Sequence, residues 1–411
     1  MNHLTYKPFD ALSQRVPFTT LAVLFLMVFD EVFSMSMSSD GQERTIIYIF
    51  RFSMILVYLW YILLLNDFFM RRLRPLEMIL VFFTLWSLFS AVMISPNKFL
   101  ALMEVLRYIY WTLAFSFVYT VVRRYPQTVQ YICFYFALSI IFYLWFTVTK
   151  SNEMIDLRGE RTTGINSSYC LVFTYPWLLI YRRKLVKFLG MLAVCGGVIV
   201  SYKRGAVLVL FIAFCMTGFS GILIYRGKKL FRWVTTIVFI GIILTLLVLC
   251  LNLSFGLAAG YSYRMQDVQE GSFSGRREIN EGLFNNISNS SYFETICGRG
   301  LFSTVQETGG AWAHNDWLES LFSLGIIGLV IFTLIHFCIL VLLFRLLKSK
   351  TEYFIPCFTG YTIFFCRTLT AGWLHYTSFS YFLALIAVAY ALSERGCLDN
   401  FFDDRYRIPG R

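Results

Sequence analysis

The chain has 411 residues, of which 58% are hydrophobic, 19% are aromatic and only 15% are charged. Soluble domains carry about 25% charged residues and lack repeated apolar runs of about twenty residues, so the composition excludes a soluble protein and predicts a polytopic membrane protein. The net charge of +12 does not indicate nucleic-acid binding, because most basic residues stand in short loops between apolar runs, where membrane orientation requires them.

The apolar runs predict about twelve membrane-spanning helices, and therefore an all-α fold. They lie near 17–36, 45–65, 76–95, 99–122, 128–149, 168–181, 185–202, 205–225, 231–253, 317–344, 353–370 and 376–392. The polar start, MNHLTYKPFDALSQRVP, lacks the pattern of a signal peptide. Both termini are expected in the cytoplasm, because the five connections on that side hold more than twice as many arginines and lysines as the five short outer connections.

Three regions are predicted from this topology. A membrane bundle of about nine helices covers 1–253, a large periplasmic loop with short helices covers 254–316, and about three membrane helices with a cytoplasmic tail cover 317–411. Within the loop, RREINEGLFNNI predicts an amphipathic helix, because apolar residues recur at spacing four: Ile279, Leu283 and Ile287. The ten cysteines are scattered without a CxxC pair, so neither a disulfide framework nor a metal site is predicted.

Several basic residues gather on the predicted outer side. Arg204, in VIVSYKRGAVLV, is a cation at the end of an apolar run, which is costly without a counter-charge. It either extends toward lipid headgroups or holds an anionic group of a substrate, and Gly205 allows a ligand to approach closely. Arg276 and Arg277, in SGRRE, are either solvated loop residues or phosphate ligands, because a guanidinium donates two parallel hydrogen bonds and keeps its charge. Arg367 falls inside the eleventh span.

His314 stands directly before a long apolar run, in AWAHNDWLESLFSLGIIG. It is either a polar residue at a helix entrance or a general base, because an unperturbed imidazole titrates near neutral pH. Asn315 or Asp316 is expected to cap the helix that begins near Trp317. Asp316 or Glu319 is a candidate to orient the imidazole.

Other polar and small residues have simpler interpretations. Glu104 and Arg107 stand one turn apart in the fourth span and are predicted to pair inside the membrane. The GIIG at 325–328 is predicted to allow close packing between helices. Arg158 and Arg161 lie in a second polar outer segment, KSNEMIDLRGERTTGINSS, and add basic charge to the same side.

Four stretches taken together resemble the O-antigen ligase/polymerase superfamily, which includes Wzy-type O-antigen polymerases and O-antigen ligases. They are SYKRG at 201–205, SGRRE at 274–278, GRGLF at 298–302 and AHNDWLESLFSLGIIG at 313–328. The last stretch is the most specific, because it joins residue order, spacing and membrane position. The resemblance covers roughly residues 195–345 and the plan of about twelve spans with one large late periplasmic loop, which implies a GT-C-like fold. The chain has Asn280 in the region where many members have a tryptophan.

The resemblance implies that Arg204, Arg276 and His314 act at the periplasmic face of the bacterial inner membrane on undecaprenyl-pyrophosphate-linked glycans, without a metal or another cofactor. The residues expected around the substrate are Lys203, Arg277, Arg158, Arg161, Asn315 and Glu319. Within each basic doublet the choice of arginine stays open. The implied partners are a glycan donor, a glycan acceptor, membrane lipids and a chain-length regulator protein; nucleic acid is not among them.

The residue types then indicate a mechanism. The arginines would bind the diphosphate leaving group, and His314 would take a proton from an acceptor hydroxyl as it attacks the sugar C1 with inversion. An O-antigen polymerase is favoured over an O-antigen ligase, which differs in its acceptor. A lipid-linked oligosaccharide transporter is the alternative from another class, but such proteins are usually built from repeats, and the sequence has no evident halves.

Overall fold

The structure is a computed structural model that describes most of the chain. The described residues are 49, 51–60, 73–153, 168–201, 203–227, 229–235, 237–238, 241, 276–309, 313–370 and 379–394. All regular structure in these ranges is helical, and no strand occurs within them.

The helices are numbered here in chain order. They are α1 (Arg51–Trp60), α2 (Pro75–Phe89, continued by a π-helical turn at Ser90–Ile94), α3 (Lys98–Arg124), α4 (Thr128–Glu153), α5 (Ser168–Ile180), α6 (Lys184–Val200), α7 (Arg204–Ile224), α8 (Arg276–Ser288), α9 (Tyr292–Cys297), α10 (Ser303–Glu307), α11 (Asp316–Lys348), α12 (Phe354–Thr370) and α13 (Phe379–Glu394).

Five of these helices are long and apolar enough to cross a membrane, which supports the prediction of an α-helical membrane protein. They are α2 with its π-helical turn, α3, α4, α7 and α11. Shorter apolar helices stand at three further predicted spans, namely α1, α5 and α13. The predicted span 17–36 and most of 231–253 lie outside the described residues, so the count of twelve and the three-region division stay predictions.

The centre of the bundle is formed by α3 and α13. In the apolar part of α3, 89% of the residues are buried, against 33% in α2, and α13 is buried from Phe379 to Leu392. These two helices pack on each other more extensively than any other described pair, while α12 packs mainly on α7 and α5. Large aromatic side chains fill the centre, for example Trp111, whose ring meets Phe379 edge-on at 4.7 Å.

The two ends of the bundle differ in the helix termini and loops that lie there. The basic end carries the starts of α2 and α12 and the ends of α3, α7 and α13, with Arg74 and Arg124 among its cations. There, Arg74 pairs with Glu394 and donates to the Tyr119 hydroxyl at 2.7 Å. The loop end carries the starts of α3, α5 and α7, the end of α12 and the segment 276–315.

The predicted single span 317–344 is two helices joined at a sharp break. Gly325 has φ 69° and ψ −170° and divides α11 into α11a (316–324) and α11b (326–348). In a straight helix, the nineteen steps from Trp317 to His336 would give a rise of about 28 Å. The ring centroids of these two residues are instead 4.8 Å apart, so α11a folds back beside α11b as a helical hairpin. The start of α11a therefore lies deeper in the bundle than Gly325.

The loop between α9 and α10 completes the backbone hydrogen bonds at this break. Arg299 N–H donates to the Phe322 carbonyl and Gly300 N–H to the Ser323 carbonyl, both at 3.0 Å. The Trp86 indole donates to the Leu324 carbonyl, also at 3.0 Å. Broken backbone at membrane depth is tolerated only where such partners satisfy it. The GRGLF stretch thus caps the break.

Gly325, the first glycine of the GIIG pattern predicted for helix packing, has a more specific role together with Gly298 of the GRGLF stretch. A Cβ atom at Gly325 would lie 2.3 Å from the Ile296 carbonyl oxygen, and one at Gly298 would lie 2.4 Å from the Ser323 carbonyl oxygen. Both glycines also have positive φ, which disfavours other residues. Close packing occurs here between two irregular backbones rather than between two regular helices.

Candidate functional site

His314 lies in a tightly constrained turn at the deep end of α11a. Its φ is +54°, a left-handed conformation that is uncommon for a residue with a side chain. The residues on both sides are held: Ala313 N–H donates to Glu319 Oε2 at 3.4 Å, and the Asn315 side chain caps α11a by accepting from Trp317 N–H at 3.0 Å. Unusual backbone conformations that surrounding contacts maintain are concentrated at functional sites. His314 itself is half-buried.

Two acidic residues on α11a are almost completely buried. Asp316 is 0% exposed and Glu319 is 3% exposed. Glu319 Oε1 accepts hydrogen bonds from Thr304 Oγ1 at 2.8 Å and Ser323 Oγ at 2.7 Å, so this carboxylate ties α10 to α11a. Together with the bond to Ala313 N–H, these contacts make Glu319 a support for the turn that presents His314.

The amphipathic helix predicted within the large loop is confirmed as α8. Leu283 is buried, and Ile279 and Ile287 pack beside it, so the apolar residues at spacing four face one side. That side covers a small cluster on the neighbouring segment, formed by Ala313, Leu318 and Phe322. The helix is therefore docked directly on the turn that contains His314.

The arginine doublet at the start of α8 divides into an inner and an outer residue. Arg276 is half-buried, and its Nη1 donates to the Thr370 carbonyl at 2.8 Å, at the end of α12. Arg277 is exposed and pairs with Glu281 at 2.7 Å on the outer surface of α8. Neighbouring residues on a helix point about 100° apart, which explains the separation. The structure thus favours Arg276 as the member that faces the bundle.

The last turn of α12 contacts the segments that carry Arg276 and His314, and it also contacts Tyr169 on α5. Thr370 accepts from Arg276, as described. Thr368 Oγ1 accepts from the indole of Trp317, three residues after His314, at 3.2 Å. Arg367 stacks its guanidinium on Tyr169, with 3.4 Å from Cζ to the ring centroid.

Tyr169 connects this turn to Arg204. Its side chain is buried near the start of α5, and its hydroxyl lies against Gly205, where a Cβ atom would be only 2.2 Å from the hydroxyl oxygen. Gly205 is the second residue of α7, directly after Arg204, which is half-buried. Arg276 is therefore bonded directly to this turn of α12, α11a is bonded to it through Trp317, and the start of α7 is linked to it through Tyr169.

Several predicted residues have no such placement. Lys203 occupies the N-cap position of α7 and is half-buried. Asn315 uses its side-chain oxygen to cap α11a, which confirms the predicted cap. Arg158 and Arg161 lie outside the described residues. Roles in substrate binding for these four, for Arg277 and for Glu319 stay predictions.

An aromatic seam holds the hairpin closed. His336 on α11b is 4% exposed and lies between Trp317 at 4.8 Å and Phe364 at 4.8 Å, both measured between ring centroids. Its Nδ1 is 3.3 Å from the Tyr361 hydroxyl. The sequence does not reveal this seam, since His336 and Tyr361 stand in the middle of apolar runs without a recognisable motif.

Two further observations concern a buried ion pair and the grouping of metal-ligating side chains. Glu104 and Arg107 form the predicted ion pair on α3, and both side chains are buried. Within the described ranges, no three side chains of histidine, cysteine, aspartate or glutamate are grouped to hold a metal ion.

Comparison with known proteins gives no family assignment. The sequence matches no protein-family model, and a search of curated proteins finds no match.

Proposed function

We propose that the protein is a glycosyltransferase that uses a lipid-diphosphate-linked glycan as its donor, and that it joins glycan repeat units as an O-antigen polymerase at the periplasmic face of a bacterial inner membrane. The observation that carries the proposal is the convergence of the segments bearing Arg204, Arg276 and His314 on the last turn of α12. Two cations and one imidazole at one end of an apolar bundle suit a substrate with a diphosphate headgroup and a lipid tail.

The chemical roles follow from the residue types. Arg204 and Arg276 bind the diphosphate and stabilise the negative charge that grows on it as the bond from C1 to the phosphate oxygen breaks. The acceptor hydroxyl attacks C1 from the opposite face, and His314 takes its proton. A new C1–O bond forms with inversion, and the lipid diphosphate leaves. The cleaved bond supplies the driving force, so no nucleotide sugar is needed.

The recessed position of the His314 turn supports a base that works away from bulk water. The hairpin places this turn beneath Gly325 and surrounds it with buried residues such as Asp316 and Leu318. Electrostatic interactions are stronger in such surroundings than in water. A diphosphate bound there would gain more from each arginine than it would on an exposed loop.

Glycosyl transfer by the purified protein tests the proposal. Full-length protein in detergent, without any gradient, is mixed with a lipid-diphosphate-linked repeat unit, and both longer glycan and released lipid diphosphate are measured. We expect both products to appear together. Their absence, with a protein that remains monodisperse, would contradict an enzymatic function.

A transporter of lipid-linked oligosaccharide is the second candidate, and the broken helix α11 favours it. Transporters use half-helices with their N-termini directed at substrates inside the bilayer, as α11a is directed into the bundle. Movement of a labelled lipid-linked glycan across proteoliposomes, without transfer in detergent, would support this alternative.

The choice between polymerase and ligase depends on the acceptor, and cells lacking the protein distinguish them. Lipopolysaccharide capped with a single repeat unit is expected for loss of a polymerase. Uncapped lipopolysaccharide with accumulated lipid-linked polymer would indicate a ligase instead.

A further inference from the structure

We propose that Arg367 is a positioning residue of this site, which fixes Tyr169 against the first turn of α7 and so sets the position of Arg204. The inference rests on the proposed function, in which Arg204 binds the donor diphosphate. Arg367 does not need to touch the substrate for this role. It acts through Tyr169 on one side and through the end of α12 on the other.

The buried position of Arg367 indicates a functional role, because burying a charged residue in an apolar helix costs free energy. Its side chain is 3% exposed and lies within an otherwise apolar helix, FIPCFTGYTIFFCRTLT. Charged residues at membrane depth are expensive and are typical of functional regions. The planar guanidinium stacks on the Tyr169 ring at 3.4 Å, a contact that arginine makes better than lysine because of its shape. This stacking holds the orientation of the ring.

The start of α7 packs directly against the Tyr169 hydroxyl, so its position depends on the orientation of the Tyr169 ring. The hydroxyl lies so close to Gly205 that a Cβ atom there would approach it to 2.2 Å, whereas the next ring atom, Cζ, would be 3.4 Å away. The hydroxyl therefore acts as a stop against the start of α7. Any tilt of the ring displaces the backbone next to Arg204.

Arg367 also influences the position of Arg276, the second cation of the site. Thr370, one turn after Arg367, provides the carbonyl that accepts from Arg276. Because the stacking fixes the last turn of α12, Arg367 is a common reference for Arg204 and Arg276. Two cations that bind one diphosphate need a fixed separation, since a small displacement of either loses a bidentate contact.

The experiment measures binding of farnesyl diphosphate, a short soluble prenyl diphosphate, to the full-length protein in detergent by calorimetry. Gly205→Ala is expected to weaken binding about tenfold, because the new methyl group meets the Tyr169 hydroxyl. The double variant Gly205→Ala/Tyr169→Phe is expected to recover most of that loss, since the hydroxyl is then gone. Rescue of this kind is not expected from general misfolding.

Changes at Arg367 complete the test. Arg367→Met is expected to weaken farnesyl diphosphate binding about tenfold and to raise the donor KM more than it lowers kcat, whereas Arg367→Lys, which keeps a cation over the ring, loses less. Arg345→Met, on an exposed arginine at the basic end, is the matched control.

Three outcomes would overturn the inference, and they distinguish failure of the positioning role from failure of the proposed function. Normal binding by Arg367→Met, or equal binding by Gly205→Ala with and without Tyr169→Phe, overturns the positioning role alone. A wild-type protein that binds no farnesyl diphosphate overturns the proposed function, and the positioning role with it.

Discussion

Two basic residues from each end of the bundle have contrasting environments. At the basic end, Lys229 pairs with Glu352 although 63% of the lysine side chain is exposed, and Arg74 pairs with Glu394 near the surface. At the loop end, Arg276 bonds a helix-terminal carbonyl and Arg367 is buried against an aromatic ring. Exposed ion pairs contribute little to stability, while a cation inside an apolar bundle must be compensated. The first pair fits orientation in the membrane, and the second pair fits the proposed site, in which Arg276 binds the diphosphate and Arg367 acts through Tyr169.

Arginine residues of the same sequence pattern can therefore stand in two different environments. In the sequence, basic doublets at 123–124 and 276–277 have equal composition. Only the surroundings distinguish them, and the variants below test whether burial at the loop end indicates function.

Among the variants that leave His314 in place, the largest effect is expected from Arg276→Gln. This change keeps a hydrogen-bond donor but removes the charge that stabilises the leaving diphosphate, so kcat/KM for glycosyl transfer should fall by about 10²–10³. Arg277→Gln, one residue away and on the outer surface of α8, should change it by less than about threefold. Equal losses in the two variants would show that burial does not separate the doublet.

A somewhat smaller effect is expected from Gly325→Ala, which tests the hairpin. The new Cβ atom would meet the Ile296 carbonyl oxygen at 2.3 Å in a backbone conformation that disfavours alanine. We expect about 3 kcal/mol lower stability against thermal or denaturant unfolding in detergent. The control is Gly196→Ala within α6, where no atom lies within 4 Å of the new methyl group. Equal stability of the two variants would contradict the break in α11 at Gly325.

An intermediate effect is expected from Glu319→Gln. The carboxylate accepts from Thr304, Ser323 and Ala313, and an amide provides one accepting atom in place of two. The turn carrying His314 should loosen, so kcat should fall about tenfold while farnesyl diphosphate binding stays within about threefold. Glu281→Gln, on the exposed face of α8, is the control. Wild-type kcat in Glu319→Gln would remove the supporting role of this carboxylate.

The smallest effect is expected from Ser291→Ala, which removes the capping box that Ser291 and Glu294 form at the start of α9. Such caps contribute about 1 kcal/mol, so amide hydrogen exchange in α9 should accelerate about fivefold. The amides of α12 should exchange as in the wild-type protein. Faster exchange of the α12 amides would show that the stability of the site is coupled to that of α9.

Hydropathy was sufficient to predict most helices, because a span needs only length and apolar composition. The amphipathic helix α8 was also predictable, since Leu283 and its neighbours recur at helical spacing. The hairpin was not predictable, because α11a runs without a polar interruption into the apolar α11b, and the GIIG pattern resembles an ordinary packing motif. The reversal depends on a backbone conformation that Gly298 and Gly325 stabilise from separate segments.

The site was predictable only in part, for the same reason. Arg204 and His314 stood out as polar residues at the ends of apolar runs, and Arg276 stood out as an arginine of the SGRRE stretch in the large loop. The residues that join them did not: Tyr169 looks like a common interfacial tyrosine, and Thr370 contributes only a backbone carbonyl. Such roles arise from tertiary contacts between α5, α7, α8 and α12, which local patterns do not encode.

The most direct test of the central idea, that two arginines bind a diphosphate while one imidazole removes a proton, is a paired measurement on His314→Ala. Farnesyl diphosphate binding and glycosyl transfer are measured on the same purified protein. We predict binding within about threefold of wild type and transfer reduced by about 10²–10⁴. Glycan of normal length and yield from this variant would contradict the account.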